Sequence, residues 1–346
     1  MSSDTRSEEL ERLDSVGRPL EEPPAGRIRE RGLLVVIATE RPLLLIVLII
    51  VLVGVMAIVA PDTFLRPANA AVVLLDTAQT GILACGMMLL MISGMFDLSI
   101  GGILAFSGIM AGLAAKELGF PPIPAFLVGC VWGTLLGGVN GFLVTRFKIN
   151  ALIATLATLS VYRGGLQLVS GAGVTNIGNN FTVFGQTQIL GIYSPFWFMV
   201  VILLVFAFLV GRTRYFRQAY YIGGNARAAK LSGINVDRTV FSFFLIMGFL
   251  AGLAGALLAS RLNTAVVLAG QGVELKVITA VVLGGASLAG GVGTIFGAFL
   301  GVLLMALLQN AMIIAHISPF WQLIVVGIVL LVSVGLDQFA RLRLRS

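Results

Sequence analysis

The chain of 346 residues is 58% hydrophobic and only 11% charged, with a mean hydropathy of +1.01. Soluble globular domains carry about 25% charged residues, so this composition excludes them and points to a chain built for lipid. The net charge of +7 and pI of 9.9 call for no nucleic acid, because cations beside an anionic leaflet account for them.

Residues 1–31 mix Asp, Glu and Arg with Pro23 and Pro24 and lack apolar periodicity, which predicts a disordered, charged cytoplasmic tail. Acidic residues near the start and the lack of an early apolar core argue against a signal peptide. From residue 32 to 341 the pattern is that of one polytopic domain. A helix needs ~20 apolar residues to cross the ~30 Å hydrocarbon core. Pro42–Ala60 meets that need without a single charge, whereas the uncharged Val277–Leu336 is too long for one span. The scan yields about ten spans: 42–60, 71–92, 98–115, 122–145, 150–169, 196–211, 240–259, a short one at 276–289, 293–314 and 319–337. The expected fold is an all-α polytopic membrane protein, with some helices short or broken by glycine.

Lys and Arg set the orientation. With both termini cytoplasmic, the inner side holds the N-terminal arginines, Arg146 and Lys148, the cations of segment 212–238, and Arg341, Arg343 and Arg345, which make 18 of 23. The polar segment 215–238 is thereby placed in the cytoplasm between two charge-free stretches.

Glycine punctuates the spans. Gly129, Gly133, Gly137 and Gly141 recur every four residues, as do Gly293, Gly297 and Gly301, a spacing that lets membrane helices approach closely. Two interrupted stretches, 94–102 and 284–293, have the look of an internal repeat and place breaks or caps at Asp97, Gly101, Gly284, Gly285, Gly290 and Gly291. Cys85 and Cys130 fall in different spans and suit buried packing, with no metal-ligand pattern.

Within the polar segment, Gly224 precedes Asn225, a good N-cap, and Ala226–Ser232 reads as a short helix closed by Gly233. Seven residues do not hold a helix alone, so neighbours or a partner must support it. Ala226, Ala228 and Ala229 would offer bare backbone to that partner, and Arg227 and Lys230 charge. Asp97 reads as the N-cap of the following span rather than an ion relay. Arg163 lies ~20 Å along its helix, so it either snorkels to the outer interface or faces a wet pathway with Gln167. Arg261, Glu274 and Lys276 flank an outer loop, as a solvated rim or as contacts to pathway or receptor. His316 reads as a surface residue. Gly285–Ala289 imitates a nucleophile elbow, but it lacks the final glycine and a histidine partner and reads as a helix break.

AYYIGGNARAAKLSGINV resembles the cytoplasmic coupling segment of permease subunits in the ribose/monosaccharide branch of bacterial ABC importers. Three more stretches match in order: Phe96–Gly101, Arg261–Leu262 with Glu274–Leu275, and Val281–Gly293. The resemblance spans residues 40 to 338. It implies a permease of the bacterial inner membrane that moves a monosaccharide or related small polar solute by alternating access. The implied partners are ABC ATPase subunits, a periplasmic or lipid-anchored sugar-binding protein, and a second permease copy, identical or paralogous, all within membrane lipid. The chain has no GxxxxGK[ST] loop, so the resemblance assigns ATP and Mg to the ATPase, with no cofactor and no catalysis here. Met95 and Lys276 depart from the family pattern, which commonly has a small residue and Asp there. Met95 is expected to tighten the bend at 94–97 or fill a void. Lys276 is expected to pair with Glu274 or to favour anionic solutes. The rival reading is an ion-coupled secondary transporter, which would need acidic relays inside the spans.

Overall fold

The computed structural model describes residues 41–178 and 180–345, with side chains from residue 42 as far as residue 335. The predicted tail over 1–31 lies outside them. The chain begins with α1 (Arg41–Val59), a single turn α2 (Pro61–Phe64), α3 (Pro67–Ile92), α4 (Ile100–Lys116), α5 (Pro122–Thr145) and α6 (Ala151–Ser170). Then come β1 (Gly173–Thr175), α7 (Val183–Gln186), β2 (Gln188–Ile189), β3 (Ile192–Tyr193) and α8 (Ser194–Arg212). The polar segment forms α9 (Arg214–Gly224) and α10 (Ala226–Leu231). After it follow α11 (Val236–Leu262), β4 (Thr264–Val266), α12 (Val273–Leu283), α13 (Ile295–Ile314) and α14 (Pro319–Arg345).

A helix that is apolar all round belongs either at the centre of a bundle or against lipid. α3 and α11 take the centre, with most of their residues buried, while α1 sits at the edge and exposes Ile50, Val51 and Ile58. Among the described residues, α1, α3, α5, α6, α8, α11 and α13 are long and apolar enough to cross a membrane. α4 and the Pro319–Gly335 part of α14 are shorter apolar helices.

The predicted span at 276–289 is corrected: α12 has 11 residues and stops at Leu283, ~16 Å of helix or half a bilayer core. Its hydropathy continues past Leu283, but the backbone turns. Gly285 takes φ +97, its N–H bonds Val282 O at 2.9 Å, and Ala286 N–H bonds Val281 O at 3.1 Å. Gly94 ends α3 in the same way, with φ +76 and bonds from Gly94 and Met95 to Met91 O and Leu90 O, both 2.9 Å. A left-handed residue closing two carbonyls is a Schellman end, and glycine takes that conformation without a Cβ penalty. The two interrupted stretches thus share one terminating device.

The glycine seams pack helices. α5 lies along α11, where a Cβ at Gly133 would fall 2.6 Å from Gly252 Cα and one at Gly137 2.7 Å from Gly248 Cα. On α13, Gly297 and Gly301 meet the backbone of Gly284 and Ala280. Two short antiparallel pairs, β1 with β4 and β2 with β3, were not anticipated. The first ties the loop after α6 to the loop after α11 and marks one end of the bundle.

Candidate functional site

The polar segment sits at the opposite end. α9 lays one face on the bundle, burying Ala219 and Ile222, and sets Phe216 6.1 Å from the Phe243 ring. Tyr220 Oη donates to Gly293 O at 2.8 Å. The last residues of α9 wedge between both glycine breaks. A Cβ at Gly223 would lie 2.5 Å from Gly291 N, and one at Gly290 would lie 2.9 Å from Gly223 Cα and 3.0 Å from Gly94 Cα. Gly291 N–H closes the junction on Ile92 O at 2.8 Å. The end of α3, the loop after α12 and the polar segment therefore meet backbone to backbone.

α10 follows at once. Asn225 Oδ1 accepts from Ala228 N–H at 3.0 Å. Gly233 has φ +84, and the Gly233 and Ile234 N–H groups bond Lys230 O and Ala229 O, both at 3.1 Å. Gly224, Asn225, Ala226, Arg227, Ala228, Lys230 and Gly233 are exposed. Ala229 is not: it is 4% exposed and faces the bundle, which corrects its expected place on the docking face. Leu231, 84% exposed, and Tyr221, 58% exposed, lie on the open side of the segment. Lys148 meets Asp237 at 2.6 Å, so the α5–α6 turn shares this cationic end. A cavity of ≈ 340 Å³ opens here, lined by Met95, Phe96, Thr145 and Asn150. Met95 is the apolar residue after the Schellman glycine and packs, partly buried, against the core.

Asp97 is not the helix cap. α4 starts after Ser99, and Asp97 is wholly buried at the centre of a polar knot. Its Oδ1 accepts from Ser99 N–H at 2.8 Å and Ser99 Oγ at 2.6 Å. Asn140 Nδ2 of α5 donates to Ser99 Oγ at 2.7 Å and reaches Asp97 Oδ2 at 3.3 Å. Asn140 Oδ1 accepts from Thr158 Oγ1 at 2.7 Å and Tyr162 Oη at 3.2 Å. Leu98 N–H bonds Thr155 Oγ1 at 3.0 Å. A buried carboxylate with several donors is a structural clamp; it fixes the break before α4 to α5 and α6. Gly101, expected at a break or cap, lies in the first helical turn of α4, where its missing side chain lets another segment approach.

That segment comes from the β4 end. Lys116, closing α4, donates to Thr175 O of β1 at 2.9 Å, so the far end of α4 meets the strand pair. A Cβ at Gly112 would lie 3.5 Å from Ala265 Cβ, and eleven residues nearer the N-terminus of α4, Gly270 packs on Gly101. After β4 the chain therefore runs back ~16 Å along α4 before α12 begins. Glu274 and Lys276 consequently lie inside the bundle and not on a solvated rim. Glu274 Oε2 is buried without a hydrogen-bond partner. Lys276 Nζ does not pair with Glu274; it bonds both carboxylate oxygens of Asp76 on α3 at 2.7 Å. Its charge is met within the protein by Asp76. Arg163 does not snorkel: its Nη1 donates to Val267 O at 2.9 Å and Ala269 O at 2.8 Å. Gln167 is exposed on the same helix, with Ser160 and Gly164. Arg261 closes α11, and its carbonyl accepts from Gln186 Nε2 at 2.8 Å. His316 is the left-handed residue after α13, at φ +55. Gly284 caps α12, and Gly285, Gly290 and Gly291 shape the turn to α13.

Residues 69–334, more than half the chain, match the family described as "Branched-chain amino acid transport system / permease component". The chain belongs to this family. It is 42% identical to a ribose import permease of Bacillus subtilis, over 83% of this chain and 90% of that one. It is 36% identical to an L-arabinose ABC transporter permease of Azospirillum brasilense, over 87% and 89% of the two chains. The L-arabinose permease of Escherichia coli is likewise 36% identical, over 77% and 81%. No solved structure matches.

Several residues of this permease escaped the sequence reading: Asp76, Asn140, Tyr162, Gly223 and Leu231. Asn140 carried a usable signal, as a lone amide inside a glycine-rich span that must find partners in lipid. Gly223 carried none, because its neighbours come from distant breaks in the chain.

Proposed function

We propose that this permease is driven by separate ATPase subunits docking on Gly224–Gly233, and that it works with an extracytoplasmic sugar-binding protein and a second permease copy. The chain is a sugar ABC importer permease of the bacterial plasma membrane, as its ribose and arabinose relatives indicate. The observation that carries the coupling is the wedge of Gly223 between the Gly94 and Gly290 breaks. A push on α10 reaches the end of α3 and the loop between α12 and α13 through backbone contacts that cannot compress. The cations around α9 and α10 support a cytoplasmic position with both termini inside. ATP and Mg reside on the partner, and the cargo is a pentose or a related small polyhydroxylated solute.

Ala228→Glu and Leu231→Asp alter exposed positions on α10. Either is expected to weaken ATPase co-purification about tenfold or more, with normal membrane insertion. Undiminished co-purification of both variants would place the docking surface elsewhere.

A further inference from the structure

Two features of the β4 return segment remain without a role. Its carbonyls at Val267 and Ala269 are both taken by one guanidinium nitrogen, Arg163 Nη1. A few residues on, Glu274 Oε2 is buried with no donor at all. The two side chains converge: a Cβ at Gly101 would lie 2.7 Å from Glu274 Oε2 and 3.3 Å from Arg163 Nη2. The arginine thus stands next to a carboxylate with one buried oxygen unmatched, while its hydrogen bonds go to the strap. A buried acceptor left without a donor is costly, and such a cost persists where another state of the molecule relieves it.

The strap is built to turn. Asn263 before it, and Gly270 and Gly272 within it, all have left-handed backbones, at φ +51, +65 and +77. Leu268 and Gln271 between them are exposed. Beside Arg163, Gly164 has nothing within 4 Å, so the face of α6 next to the guanidinium is open.

We propose that Arg163 is a positioning residue for alternating access, the latch of strap 264–272. In the present state it holds the strap against α4 through the Val267 and Ala269 carbonyls. When the strap lifts, the arginine exchanges them for Glu274. Each state satisfies a group that the other leaves wanting, which is what makes an element bistable. Tyr162, the neighbour of Arg163, bonds Asn140 of the Asp97 knot, so α6 ties the latch to the break before α4. The inference rests on the transport reading, but its first tests need neither cargo nor ATPase.

In a background with Cys85→Ala and Cys130→Ala, Ala269→Cys is treated with a membrane-impermeant maleimide. Adding Arg163→Gln is expected to raise its labelling rate about fivefold, and Arg163→Lys, which keeps a cationic donor, to leave it near the starting rate. Equal rates in all three would overturn the latch. Glu274→Gln is expected to lower labelling during ATP turnover about fivefold, because the lifted state loses its charged partner; unchanged labelling would remove Glu274 from the exchange. Finally, Gly112→Cys with Ala265→Cys places Cβ atoms 3.5 Å apart, within disulfide reach. Oxidation is expected to stop D-ribose or L-arabinose uptake in the reconstituted importer, and dithiothreitol to restore it. Full uptake with the disulfide formed would mean that the strap does not move. A wild-type importer that takes up neither pentose would count against the cargo assignment and leave the labelling result standing.

Discussion

Lys276 carries a charge into the bundle because Asp76 meets it there, with both carboxylate oxygens at 2.7 Å. Lys276 is 11% exposed and Asp76 39%, so the pair is desolvated on one side only. Lys276→Asp would set two carboxylates against each other, with an expected loss of about 1–3 kcal/mol. In detergent the single variant should melt earlier, and adding Asp76→Lys should recover most of the loss. A single variant that melts with the wild type would make the pair incidental. Pairs like this lay beyond the sequence reading for a physical reason. The partners are 200 residues apart, and nothing in local spacing joins them. Asp97 shows the same limit: it was read as a helix cap at a span edge, because its partner Asn140 comes from another helix. The charge was visible, and its satisfaction was not.

Capping is local, so α10 was legible almost to the residue: Asn225, Gly233 and the alanines between them determine it within nine positions. α9 was hidden, because Phe216 and Tyr220 are held by Phe243 and Gly293 from later in the chain. The end of α12 was legible only in part. Hydropathy does not change where the backbone turns, and only the Gly284–Gly285 pair marks the stop. The wedge of α9 yields a matched pair of variants. Gly223→Ala puts a methyl 2.5 Å from Gly291 N, whereas Gly211, outside the docking segment, has nothing within 4 Å. Gly223→Ala is expected to cut sugar uptake about tenfold while the ATPase stays bound, and Gly211→Ala to transport nearly normally. Comparable uptake by the two would separate the junction from coupling.

At the scale of the whole molecule, composition and charge had already given the membrane, the helical class and the cationic end. What they could not give was depth, because a hydropathy window cannot distinguish a full crossing from a chain that enters and turns back. Leu231 is 84% exposed at the α10 end and Leu190 87% exposed between β2 and β3. Cysteine at Leu190 should react with an impermeant maleimide in intact cells, and cysteine at Leu231 only after permeabilisation. The reverse pattern would invert the protein in its membrane. The short α12 bears on how this chain is made. Eleven residues give ~16 Å of helix, too little to leave a translocon as an independent span. Asp76 on α3 and Gly101 on α4 have by then been synthesised, but Gly297 and Gly301 of α13, which close on Gly284 and Ala280, have not. Ribosomal order thus readies only half of the seat, and α12 is enclosed when the helix made after it folds back.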